Sequence, residues 1–238
     1  MTTRRFVLLT ATLAALNTYA FAQQAHWEGV IQMKQELRFT VDLAKNAKGE
    51  WTGSIGIPDG GLVDAPLSAI SVKDAAVKFS LIGMPHAPWF EGKLSEDGNG
   101  LAGDAISDQG SVPFQLKRNG EASVKLPPPS TPVSKELEGN WEGALKIPDG
   151  RQFRVAMKLS RGDGGLAAGM LVSVDEGGQE FLLISIVQKE KQLQLRTLRG
   201  KYSGTVNDSG SEIAGEYTSG GANFPLVFKR PADPKNGQ

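Results

Sequence analysis

Few side chains in this sequence could carry covalent or acid–base chemistry, and their spacing argues against most of it. There are two histidines, His26 and His86, and no cysteine. Neither histidine belongs to a His-x-x-x-His or His-Glu-x-x-His arrangement, so a hydrolytic metal would lack its paired imidazoles. His86 stands in the proline-locked stretch Met84-Pro85-His86-Ala87-Pro88 and His26 beside the start of the first strand, and both read as solvated loop residues. The absence of thiols excludes disulfide stapling, thiolate nucleophiles and cysteine ligation of zinc or iron–sulfur clusters. No serine sits in Gly-x-Ser-x-Gly, the strained turn that presents an acyl-transfer nucleophile. Gly162-Asp163-Gly164-Gly165 is glycine-rich but contains an acid and precedes a strand, so it reads as a hairpin turn and not a phosphate cradle. Turn carboxylates are plentiful, yet glycoside cleavage needs two held at a fixed separation across a cleft. The expectation is a non-enzymatic chain with no catalytic residue, cofactor or metal.

The aromatic residues are better candidates for binding. Trp27 and Trp141 open two similar phrases and are expected to pack a core or plug a barrel end. Trp51 and Trp89 have no counterpart, with Ala167 and Lys201 in the equivalent places. Trp89 and its neighbour Phe90, beside the His86 turn, are therefore the candidate ligand-contact residues.

Those phrases belong to an internal duplication. Trp27-Glu28-Gly29 returns as Trp141-Glu142-Gly143, Leu37-Arg38-Phe39-Thr40-Val41-Asp42-Leu43 as Phe153-Arg154-Val155-Ala156-Met157-Lys158-Leu159, and Ile70-Ser71-Val72 as Ile184-Ser185-Ile186. Phe90-Glu91-Gly92-Lys93-Leu94 pairs with Tyr202-Ser203-Gly204-Thr205-Val206, and Leu101-Ala102-Gly103 with Ile213-Ala214-Gly215. The copies close on Pro113-Phe114-Gln115-Leu116-Lys117-Arg118 and Pro225-Leu226-Val227-Phe228-Lys229-Arg230. Kept order through so many pieces defines two units, at 23–118 and 140–230. Between them, residues 119–139 hold Pro127-Pro128-Pro129 and Pro132, a composition that predicts an extended spacer, and the tail at 231–238 is equally unable to pack.

Within each copy the apolar residues alternate, as in Leu37, Phe39, Val41 and Leu43, with turn signals at the spacing of short strands. The fold class predicted is all-β, two tandem small antiparallel up-and-down barrels of about eight strands each, since closure satisfies the edges of a meander. Gly29, Gly53, Gly92 and Gly103 recur as Gly143, Gly169, Gly204 and Gly215, marking barrel corners. A two-sheet sandwich shares the alternation and stays open as an alternative.

The first residues, Met1-Thr2-Thr3-Arg4-Arg5 followed by an apolar run and ending in Ala20-Phe21-Ala22, have the layout of a secretory leader over residues 1–22, cleaved before Gln23. The apolar run is shorter than the roughly 20 residues of a spanning helix. Its paired arginines also fit the twin-arginine route, leaving the export route open. The expected location is the periplasm or outside the cell, with no membrane insertion of the mature form. The 26 basic groups match the 26 acidic ones in number, so a nucleic-acid partner is not expected.

The framework phrases together resemble the lipocalin-like β-barrel domain that precedes the catalytic domain of exported bacterial serine α/β-hydrolases. The resemblance implies the fold and no chemistry, because its hydrolase domain would follow Lys229-Arg230-Pro231 and the sequence runs only to Gln238. Bulky inward residues, Phe39, Phe79, Phe153, Leu159 and Leu195, predict filled barrels. The leading expectation is thus a binding or accessory module recognising a protein or polymer through barrel loops. The alternatives are a carrier of a small apolar ligand inside a barrel, which requires a cavity, and an accessory domain for a secreted hydrolase.

Overall fold

The computed structural model describes residues 24–82 and 87–231. The expected leader, its cleavage site, His86 and the tail past Pro231 lie outside them. The described chain divides into two compact units, the first ending at Leu126 and the second beginning at Pro127.

The first unit is built of β1 (Ala25–Ile31), β2 (Leu37–Lys45), β3 (Trp51–Ile57), β4 (Leu62–Lys73), β5 (Ala76–Leu81), β6 (Trp89–Leu94), β7 (Gly100–Ser107) and β8 (Gly110–Arg118). They form a closed antiparallel barrel in chain order, with β8 returning to β1 from Trp27 opposite Arg118 to Ile31 opposite Phe114. A continuous ladder around the unit excludes the sandwich here. The period of two places Phe39, Val41 and Leu43 inside, joined by Val77, Phe79 and Leu81 from β5.

The repeated glycines mark places where two strands approach too closely for a side chain. Gly103 lies opposite Gly92, and a Cβ on Gly103 would sit 2.0 Å from the Glu91 carbonyl oxygen. Its counterpart Gly215, opposite Gly204, would place one 2.1 Å from the Ser203 oxygen. The same requirement at the same rung in both copies is how so small a cylinder turns.

The second unit comprises β9 (Gly139–Lys146), β10 (Gln152–Arg161), β11 (Ala167–Ser173), β12 (Gln179–Leu182), β13 (Ser185–Lys189), β14 (Gln192–Arg196), β15 (Gly200–Val206), β16 (Glu212–Ser219) and β17 (Ala222–Lys229). They make one curled sheet in the order β12-β11-β10-β9-β17-β16-β15-β14-β13. Its two end strands are consecutive in the chain. The ninth strand arises because the counterpart of β4 is broken. In the first unit β4 serves β3 with one half and β5 with the other, through a bulge at Ala69, whose φ is 48°. In the second, β12 serves β11 and β13 serves β14, while Leu183 N–H donates to Gly169 and Ile184 N–H to Arg196.

The ladders fix the register of the duplication across the break. Val77 pairs with Gly92 and Leu193 with Gly204, which makes Val77 and Leu193 equivalent. Val72 faces the one and Gln188 the other, so Val72 answers to Gln188 and the sequence match of Ile70-Ser71-Val72 with Ile184-Ser185-Ile186 is two residues off.

The expected extended spacer is not wholly unpacked, because its second half docks on the second unit. Val133 and Leu137 are buried in the second core. The outer edge of β13 has no neighbouring strand, and its backbone groups need partners. Thr131 N–H donates to Ile186 O at 2.8 Å, Ile186 N–H donates to Ser130 Oγ at 3.1 Å, and Gln188 N–H donates to Thr131 Oγ1 at 3.0 Å. Thr131 also accepts from Ala167 N–H at 3.1 Å, joining β13's edge to the start of β11. A proline-flanked segment stays extended without a helix or ladder of its own, which suits it to splint this seam.

Trp27 and Trp141 are fully buried, as expected of framework residues. Trp141 Nε1 donates to Leu137 O at 3.0 Å, and the Arg230 guanidinium lies 4.0 Å from its ring centroid while donating to the Asn140 and Glu138 carbonyls.

His26 is not a solvated loop residue. It lies in β1 directly opposite Asp42, with Nδ1 3.1 Å from both Asp42 oxygens and Nε2 3.0 Å from Glu28 Oε1. Asp42, itself buried, accepts in addition from Ser123 N–H at 2.7 Å, tying the chain that leaves β8 to the barrel. Burial of the ring opposes its charge, but hydrogen bonds to Glu28 and Asp42 outweigh this and hold its pKa above the ordinary 6.5. A pKa raised on folding gives stability that is complete below about 6.5 and is lost as pH climbs through the folded value. Scanning calorimetry from mildly acidic to mildly alkaline pH should show the wild-type melting temperature falling more steeply than that of His26→Gln. Parallel profiles would refute the role given to His26.

Candidate functional site

The ladders make it possible to compare the inward positions of the two units one by one. In the first, Phe39, Phe79, Phe90 and Phe114 meet at the centre. Phe79 and Phe90 stack with centroids 4.9 Å apart, and Phe114 packs edge-on against Phe39 and Phe90, 5.8 Å from each. These four fill the cylinder. Their counterparts by pairing are Val155, Leu195, Tyr202 and Leu226, so three of four aromatic rings give way to aliphatic side chains. Only Tyr202 keeps a ring, packed against Phe228, and its hydroxyl donates to the Ile213 carbonyl at 3.0 Å. Burial drives the pKa of that phenol upward and keeps it neutral.

A cavity of about 370 Å³ opens at one end of the second unit, and two of the exchanged positions, Val155 and Leu226, line it. Its lining is apolar at Leu145, Phe153, Val155, Leu171, Phe181 and Leu226 and polar at Ser173, Thr197, Tyr217, Ser219, Glu176 and Arg199. The positions that correspond to Leu145, Val155 and Leu226, namely Ile31, Phe39 and Phe114, are all buried in the first unit. Phe153, expected to fill the barrel, instead stands half-buried at the mouth.

One device recurs in both units at this end. Arg38 forms two hydrogen bonds to Asp59, and Arg154 binds Asp175 through Nε and through its backbone N–H, at 2.8 and 2.7 Å. Each pair ties the second strand to the turn after the third. The Arg154 hydrogen bonds hold the Asp175 carboxyl below its usual range. In the first unit the tied turn, Pro58–Gly60, runs between buried Ile57 and Leu62. In the second the turn Asp175-Glu176-Gly177-Gly178 follows Ser173 and leaves the mouth open.

Of the residues singled out from sequence, Trp89 is 46% exposed and lies on the outside of the first barrel, paired with Ile106 at 40%. Phe90, one residue on, is 1% exposed and belongs to the core, so a surface contact at this place rests on Trp89 without it. Trp51 lies under the Lys45 ammonium, 5.1 Å from its ring centroid. Sequence reasoning missed the lining of the cavity; the available signal was the loss of aromatic volume at matched inward positions.

No protein-family model matches the chain, and no curated protein is detectably similar to it. Among solved structures it is similar to a provisionally assigned outer membrane protein of Bacteroides fragilis, at 13% identity over 87% of this chain and 98% of that one, TM-score 0.28. A DUF3598 protein of unknown function from Nostoc punctiforme aligns at 10% identity over 89% and 97%, TM-score 0.24. MucB, solved in complex with MucA, aligns at 14% over 92% and 93%, TM-score 0.22. Among the described residues no helix is long and apolar enough to cross a membrane.

Proposed function

We propose that this barrel protein binds a small, mainly apolar molecule in the mouth of the second unit, without covalent chemistry, and works in the periplasm or outside the cell. One observation carries the reading: a cavity of about 370 Å³ opens in the second unit, and Val155 and Leu226, aliphatic where the first barrel has phenylalanine, line it. That volume and an apolar wall with a few polar groups at the rim are the ordinary features of small-molecule sites, and barrel mouths are a usual place for them. Partner recognition came first in the sequence reading because both barrels were expected to be filled. It keeps one supporting feature, the outward Trp89 and Ile106 pair.

The test is titration of the full chain with N-phenyl-1-naphthylamine, an uncharged probe whose emission rises in apolar surroundings. One saturable site per chain is expected, because the first barrel is full. No saturable binding would overturn the proposal.

A further inference from the structure

We infer that the ligand is an amphiphile with a singly charged anionic head, its apolar body against Val155, Leu171 and Leu226 and its head at Arg199; this rests on the cavity being a binding site, as proposed above. The pocket lining mixes apolar side chains with hydroxyls. Positions that are apolar and buried in the first unit, Ile57, Leu81 and Ala105, are matched at the mouth of the second by Ser173, Thr197 and Tyr217. A pocket for a wholly apolar molecule would gain nothing from three hydroxyls along its wall, since each loses hydration when an apolar group covers it. Ser173 donates its proton to Glu176 and Thr197 to the Gly200 carbonyl, which leaves the Tyr217 hydroxyl able to turn its proton to a ligand's outer end.

Arg199 gives that end its sign. Two pocket hydroxyls fix its backbone: its N–H donates to Thr197 Oγ1 at 3.3 Å and its carbonyl accepts from Ser219 Oγ at 2.9 Å. Thr197 Oγ1 in turn lies 3.3 Å from the Tyr217 hydroxyl, so the rim hydroxyls and the Arg199 backbone form one connected group. Among the described residues the Arg199 side chain has no ion pair. The rim also holds an acid, Glu176, but its carboxylate accepts from Ser173 Oγ at 2.8 Å and forms no ion pair with Arg199. A planar guanidinium offers two parallel donors to a carboxylate, and such charge-assisted bonds are roughly twice as strong as neutral ones.

Displacement of bound N-phenyl-1-naphthylamine from the full chain, near neutral pH, tests this with three amphiphiles of equal chain length: decanoate, decan-1-ol and decyltrimethylammonium. Decanoate is expected to compete at least about tenfold better than decanol, with the ammonium weakest. Arg199→Gln should bring the decanoate-to-decanol ratio close to one, Arg199→Lys should restore part of it, and Arg196→Gln, on the outside of β14, should keep it. Equal competition by acid and alcohol, preference for the ammonium, or a ratio unmoved by Arg199→Gln would each overturn the inference while leaving the pocket assignment intact. Failure of the probe to bind would overturn both.

Discussion

The double substitution Val155→Phe with Leu226→Phe is expected to weaken probe binding by at least about tenfold while leaving the second unit folded. Both changes import what the first unit already holds at the same rungs, Phe39 and Phe114, which pack edge-on at 5.8 Å in a barrel built on the same glycines. Both exchanges put a ring into the wall of the cavity of about 370 Å³, at positions that line it. Filling empty space avoids most of the about 1–3 kcal/mol that overpacking a closed core costs. The melting temperature should therefore change little, or rise where the rings recover apolar contact. Titration with N-phenyl-1-naphthylamine beside a thermal melt separates the outcomes: unchanged affinity in a folded variant would show that the probe binds elsewhere. The reverse pair, Phe39→Val with Phe114→Leu, should destabilise the first unit, each change by less than the about 3–5 kcal/mol of truncating a buried phenylalanine to alanine.

The fold was legible because it depends on period and turns, which a single sequence displays directly. Alternation in Leu37 to Leu43 marked a strand whichever sheet received it, and the recurring glycines coincide with the contacts that demand them. The true register was hidden because Ile70-Ser71-Val72 and Ile184-Ser185-Ile186 share the same apolar, serine, apolar alternation, and a pattern of period two matches as well two residues out of place. The splint was hidden for another reason. Proline-rich composition tells that a segment will be extended, but whether an extended segment floats or docks depends on a distant edge having unpaired backbone groups, as β13 has. The cavity was hidden because it is a difference between two cores, visible only after inward positions are matched and their volumes compared. The sequence matches Phe39 with Val155, but counts Phe153 beside it among the bulky residues expected to fill the barrel.

Trp89 and Phe90 should respond oppositely to truncation, and the contrast tests which face of β6 the barrel uses. Phe90→Ala removes a ring 1% exposed that touches three other phenylalanines, with Phe79 stacked at 4.9 Å. Such a site cannot collapse, because its neighbours are held by the closed ladder, and the expected loss is about 3–5 kcal/mol. That is a large share of what a domain of this size possesses, so the first unit should melt well below its wild-type temperature, or be largely unfolded. Trp89→Ala removes a side chain 46% exposed and leaves the core untouched, with an expected change of about 0.5 kcal/mol or less. The duplication itself carried this distinction, since Phe90 is matched by the aromatic Tyr202 and Trp89 by Lys201. A residue type kept across both copies belongs to the shared core, and one that becomes charged must face water. Denaturant unfolding of the two variants decides the matter: comparable losses would mean that the indole is packed as firmly as the ring beside it, and that its outward placement is wrong.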